Sequence, residues 1–201
     1  MATFDFNADY VLENDVALIR PLRADDFEHL KGFSLHEPEL WQYSLTPASG
    51  LENLQNYIAS ALKSKSEHSS FPFIVFDKRT GEYAGSTRFY DYQKIHNTVQ
   101  LGYTWYGKKF QRTGLNRHCK LLMLEFAFEV IGVERVEFRA DFNNKRSIAA
   151  MKSIGCVEEG VLRQNCASSD GRRDSIVLSI LKQEWFSHVK SHIQQKIERS
   201  L

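Results

Sequence analysis

The chain has 201 residues, enough for one domain with a full core and too few for two ordinary ones. Lysines and arginines number 26 against 25 acidic residues, so no global field recruits nucleic acid or an anionic membrane surface. Three cysteines, Cys119, Cys156 and Cys166, without C-x-x-C spacing, argue against a disulfide framework and a metal site; no apolar run reaches spanning length and Met1–Asp5 lack signal-peptide features, so a cytoplasmic protein is expected.

From the N-terminus, Tyr10–Leu22 alternates as a strand broken by a turn near Asn14, and Pro21 ends it. Ala24–Phe33 reads as a short helix with Asp25 and Asp26 in its first turn. Residues 36–49 show no period, and their two large aromatics, Trp41 and Tyr43, read first as a plug over the core. Ser49 and Glu52 have capping-box spacing ahead of a helix carrying Leu54, Ile58 and Ala61 on one face, and Lys63–Ser70 reads as a polar connector. Phe71–Asp77 and Tyr83–Tyr92 form a predicted hairpin, and Gln93–Asn97 turns the chain into the strand Thr98–Tyr106.

The stretch Gln111-Arg112-Thr113-Gly114-Leu115-Asn116 follows, ahead of a helix that is apolar on several sides and carries Cys119 inward. Strand, short glycine loop and helix leave the first helical N–H groups without internal partners, which makes a place for a phosphate. Arg112 adds a positive charge and Gly114 removes a Cβ. Val133–Ala140 is a strand, and strand, helix, strand predicts a parallel pair. Asn144 caps the helix Lys145–Ile154, which Gly155 ends. Cys156–Gln164 and Asp174–Leu181 pair around Ser168-Ser169-Asp170-Gly171, and Trp185, Val189, Ile193, Ile197 and Leu201 give a final amphipathic helix that packs on its own domain or on a second copy.

The loop Gln111–Asn116, together with Leu101–Trp105, Ala127-Phe128-Glu129, Arg135–Phe138, Asp141 through Asn144 to Ser147, Glu159–Arg163 and Arg173-Asp174, resembles the GCN5-related N-acetyltransferases (GNAT). Within them it is similar to the ribosomal-protein N-terminal acetyltransferase branch (RimJ/RimL-type). The family loop is Gln or Arg, two residues, Gly, one residue, then Gly or Ala; Asn116 fills the last place here. The resemblance implies a single GNAT domain over residues 1–201, of mixed α/β (α+β) class. Its central, mostly antiparallel sheet would be splayed and flanked by helices, with residues 182–201 as the C-terminal helix. It implies acetyl-CoA as co-substrate and no metal. The diphosphate would meet Gln111, Arg112, Thr113, Gly114, Leu115 and Asn116, and the pantetheine arm the backbone of Tyr103, Thr104 and Trp105 where that strand parts from Val133–Ala140. Asn144 and Ser147 would lie near the arm, Ser147 serving either the ligand or its own helix turn. Residues 36–49 would border the acceptor pocket, making Trp41 and Tyr43 a lid over the amine.

Acetyl transfer needs a neutral amine, a site for the developing oxyanion and a proton for the departing thiolate. Met151 stands where many relatives carry a tyrosine acid, and Gln100 where many carry a glutamate. Glu137 matches an acidic position used as base in some relatives, or is an ion-pair partner of Arg139; His118, in the first helical turn, reads as solvated or capping. The expected function is N-acetylation of a primary amine, a protein N-terminus or a small molecule, with no direct nucleic-acid or membrane contact and a homodimer possible. The alternative is a non-catalytic acyl-CoA sensor or interaction module on the same fold.

Overall fold

A computed structural model describes residues 4–168 and 171–199. Eight strands form one mixed sheet in the order β1-β2-β3-β4-β5-β6-β8-β7. In chain order they are β1 (Leu12–Glu13), β2 (Ala17–Pro21), β3 (Ser70–Asp77), β4 (Glu82–Gln93), β5 (Thr98–Tyr106), β6 (Arg135–Asp141), β7 (Val157–Ser168) and β8 (Gly171–Leu181). Every neighbouring pair is antiparallel except β5–β6, as the crossover through the intervening helix requires.

Alternation decides which face each side chain takes. Helices α1 (Phe27–His36) and α2 (Leu51–Ser66) cover one face, where Leu30, Leu54, Tyr57 and Ile58 pack with Ile74 of β3 and Trp105 of β5. Helix α3 (Leu115–Glu125), helix α4 (Lys145–Ser153) and the C-terminal helix cover the other, on Phe71, Phe73, Phe89, Val99 and Phe138. Helix α3 continues as a π-helical stretch, Phe126–Ile131, and a second one, Trp185–Val189, lies against it. The Trp185 ring stacks on Phe128 at 5.5 Å, and its Nε1 donates to Glu129 Oε1 at 2.8 Å. Trp185, Val189 and Ile193 are buried within this chain, so the inward face of the final helix is covered by its own sheet.

Three local expectations change. The Ser49–Glu52 capping box does not form: Gly50, at φ 87°, is the N-cap, and its N–H donates to Ser34 O. The left-handed turn at Gly50 begins the helix one residue too late for the Ser49 hydroxyl to reach it. Helix α2 runs on through Lys63–Ser66, where its last turn carries lysines that suit a helix C-terminus. Strands β7 and β8 extend further than expected, pairing Cys166 with Arg173; the tip residues Ser169 and Asp170, like Leu201 of the final helix pattern, lie outside the described residues.

Candidate active site

Strands β5 and β6 pair only over Thr98↔Arg135, Val99↔Val136 and Gln100↔Glu137. Beyond that point β5 stays on β4 through Gly102, Trp105 and Tyr106, while β6 stays on β8 to Asp141, so the two part. A bulge helps the parting: register shifts between Ser86 and Arg88 of β4, and Tyr103, opposite it, takes φ 49°. The β6-facing edge of Tyr103, Thr104 and Trp105 is left without a strand partner. A cavity of about 870 Å³ fills the gap and continues to Gly114, Asn116 and Asn144.

The glycine loop closes one end. Arg112 (φ 64°) and Gly114 (φ 86°) both sit in the left-handed region, and between them they turn successive amides toward one side. The amides of Thr113, Gly114 and Asn116 have no hydrogen-bond partner among the described residues. A Cβ at Gly114 would meet nothing within 4 Å, so glycine is required there for its dihedral angle, not for room. The loop is tied down from behind. Arg79, in the β3–β4 turn, donates to Thr113 O at 3.0 Å while holding both Asp77 oxygens, and Thr113 Oγ1 donates to Phe110 O at 2.8 Å. Burial pushes the Asp77 carboxyl up, but the hydrogen bonds from Arg79 overcome this and hold it below the usual carboxylate range. The Gln111 side chain serves the loop itself, donating to Tyr106 O at 2.8 Å and accepting from Arg146 Nη1 at 2.7 Å. Leu115 is buried and anchors the helix start in the core.

Asn144 caps α4 as expected: its Oδ1 accepts from Ser147 N at 3.0 Å, and both residues line the cavity. Trp41 is both plug and wall. It is 4% exposed, meets Trp105 edge-on at 5.2 Å and lines the cavity with the half-buried Tyr43, whose carbonyl accepts from Arg173 Nη1 at 3.2 Å.

Glu137, expected as a base, is not among the residues lining the cavity. Its oxygens accept from Arg139 Nε at 2.7 Å and Arg135 Nη2 at 2.8 Å, because residues two apart on a strand share a face. This geometry is that of the ion-pair reading. His118 points away too, its Nδ1 lying 3.2 Å from Asn14 Nδ2, and desolvation lowers its pKa. Cys119, as read, and Cys156 are buried packing groups, with burial pushing each thiol up to about 12.

Sequence reasoning passed over Lys120 and weighed Gln100 only as standing in a glutamate's place. Lys120 is 6% exposed, with its Nζ donating to Thr104 Oγ1 at 3.0 Å. Its only trace is a lone lysine inside the apolar run after Gly114. Gln100 is buried at the last paired position of β5: its Nε2 donates to Asp91 Oδ2 at 2.7 Å, and its Oε1 has no partner. Among the described residues there is no group of three or more His, Cys, Asp or Glu that could hold a metal ion, and no helix is long and apolar enough to cross a membrane.

A mixed sheet that opens beside its one parallel pair, with a left-handed glycine loop at the end of the opening, defines the class: the GNAT fold. The chain belongs to that family, since residues 17–157 match the family described as "Acetyltransferase (GNAT) domain". Among relatives, it is 28% identical over 105 residues to "Putative ribosomal N-acetyltransferase YdaF" of Bacillus subtilis (strain 168), a stretch covering 52% of this chain and 57% of that protein. Among solved structures, a GCN5-related N-acetyltransferase from Brucella melitensis superposes with TM-score 0.88 at 21% identity, covering 98% of this chain and 89% of that one. Mycobacterium smegmatis RimJ in complex with CoA-disulfide superposes with TM-score 0.76 at 17% identity over 94% and 93% of the two chains.

Proposed function

We propose that this protein moves the acetyl group of acetyl-CoA onto a primary amine, borne by a protein N-terminus or by a small molecule. The observation that carries this reading is the β5–β6 gap running into a loop of partnerless amides. The residues suit the co-substrate. The amides of Thr113, Gly114 and Asn116, with the Arg112 guanidinium and the α3 N-terminus, answer a diphosphate. Leu115 fixes the helix start there, and Gln111 sets Arg146 beside it. The free edge of Tyr103, Thr104 and Trp105 answers the amides of a pantetheine arm as a further strand would, with Asn144 and Ser147 on the opposite wall. Acetyl-CoA, when bound, supplies an activated acyl thioester.

On the α2 face the amine meets Trp41 and Tyr43 as the wall of its pocket. Gln100 Oε1 offers its N–H a buried acceptor that no described residue uses, and the Asp91 carboxylate draws the ammonium toward the gap. Desolvation by the aromatic wall favours the neutral amine, and holding nucleophile and acyl group side by side supplies much of the rate. The likeness to a ribosomal N-acetyltransferase makes a ribosomal acceptor one to test.

The test is release of free thiol from acetyl-CoA against a panel of peptides with free N-termini and small primary amines. Thiol release that depends on one of them, with acetylated amine as product, is expected. Tight coenzyme binding without acceptor-dependent thiol across the panel would favour a sensor instead.

A further inference from the structure

Lys120 carries its charge into the interior. Its Nζ donates to Thr104 Oγ1, which also meets Thr87 Oγ1 at 2.8 Å, and lies 5.6 Å from the centre of the Phe138 ring. Thr104 belongs to β5 and Phe138 to β6, and both lie beyond the last paired position of those strands. The ammonium therefore sits beneath the gap, on the α3 side, and lines the cavity. An ammonium has three N–H donors, and within the described residues only the one to Thr104 is used. No carboxylate among them lies within ion-pair distance of it, and burying such a cation is costly unless something else takes up its charge.

The reaction generates a charge that matches. The amine nitrogen forms a bond to the acyl carbon and loses one proton to solvent, while the C–S bond breaks and leaves its electron pair on sulfur. Of the tyrosines on the wall, Tyr57 and Tyr103 lie on the α2 face, where Tyr57 accepts from Trp105 Nε1 and Tyr103 packs on Tyr90, while Tyr106 is on the α3 side with its OH buried and unpartnered among the described residues.

We propose that Lys120 is a catalytic residue of the acetyl transfer read above, its ammonium receiving the sulfur of coenzyme A as the C–S bond breaks and then giving it a proton. The neutral Nζ regains that proton from solvent once the product has left. Burial brings the Lys120 ammonium down to about 8. A simple alkyl thiol ionises at about 8.5, so proton transfer between the two is nearly balanced. The groups that face Lys120 leave it alone with its charge. Cys119 on its own helix and Cys156 after α4 are thiols that burial keeps neutral, as it does the Tyr106 phenol on β5; Phe138 on β6 and Met151 on α4 carry no charge.

The test uses coenzyme A itself and no turnover. The ultraviolet absorbance of its thiolate is followed against pH when bound to the wild type, to K120M and to K120R, with calorimetric affinity for each. A cation at contact distance raises the thiolate fraction by about tenfold or more at a pH below the thiol midpoint. The wild type and K120R should show this, and K120M should return to the behaviour of free coenzyme A with affinity changed by about threefold or less. A wild-type bound thiol that ionises like free coenzyme A overturns the proposal, and this decides even if K120M does not fold. Loss of affinity in K120M with an unmoved thiol in K120R also overturns it, placing Lys120 on the pantetheine arm. A protein that shows the thiol shift but has no acceptor-dependent activity would refute the proposed function and leave the sulfur contact standing.

Discussion

At Gly114 one dihedral angle decides whether the loop presents its amides. The residue sits at φ 86° with open space where a Cβ would be, so a substitution meets strain and no clash. A β-branched residue in that region costs about 1–2 kcal/mol, and the loop escapes by turning its amides away. Gly114→Val is expected to lower coenzyme A affinity by tenfold or more in calorimetry while the melting temperature falls by only a few degrees; unchanged affinity would show that the cradle does not hold the diphosphate. At this scale the sequence was partly legible. A glycine turn after a strand and before a helix could be read, and Asn144 as a cap, because both depend on near neighbours. Glu137 was harder, because alternation tells which face a strand residue takes and not what lies across from it. Lys120 was passed over because a lysine in an apolar run looks like an interruption until the two strands above it are known to part.

Among elements, the β3–β4 turn does more than reverse the chain. Arg79 bridges the buried Asp77 to the backbone of Thr113, so a hairpin remote from the cleft in sequence ties down its glycine loop. Arg79→Met leaves a buried carboxylate unpaired and frees the loop. Because the arginine is partly exposed, the cost is discounted to about 1–2 kcal/mol of stability, with a severalfold loss of coenzyme affinity. The pH sign follows from the direction of the Asp77 shift. Its carboxyl is held lower in the folded chain than in the unfolded one, so the stabilisation is full above about pH 4 and is lost as pH falls through the folded value. Chemical denaturation of wild type and variant should therefore show a gap at neutral pH that closes in acid; a gap constant down to the acid end would remove Asp77 as Arg79's partner. The hairpins and helices were legible from their periods. The capping box was not, since Ser49 and Glu52 satisfy the local pattern while Gly50 sets where the helix starts.

Across the described residues, β5 and the end of β6 part within the sheet, and the helices on its two faces meet that opening from opposite sides. No periodicity encodes such a gap; its expectation came from resemblance, and its cause here is a bulge at Tyr103 that bends β5 while β6 is held by β8. The acceptor is equally unwritten in local pattern, because the cavity wall proposed to meet it, Trp41, Tyr43, Asp91 and Gln100, is assembled from separate stretches of the chain. The most direct test of the account is a crystal structure with acetyl-CoA bound. It should show the diphosphate on the amides of residues 112–116 and the pantetheine arm along Tyr103–Trp105 inside the gap; a co-substrate bound elsewhere, or β5 and β6 closed by hydrogen bonds along their full length, would contradict it.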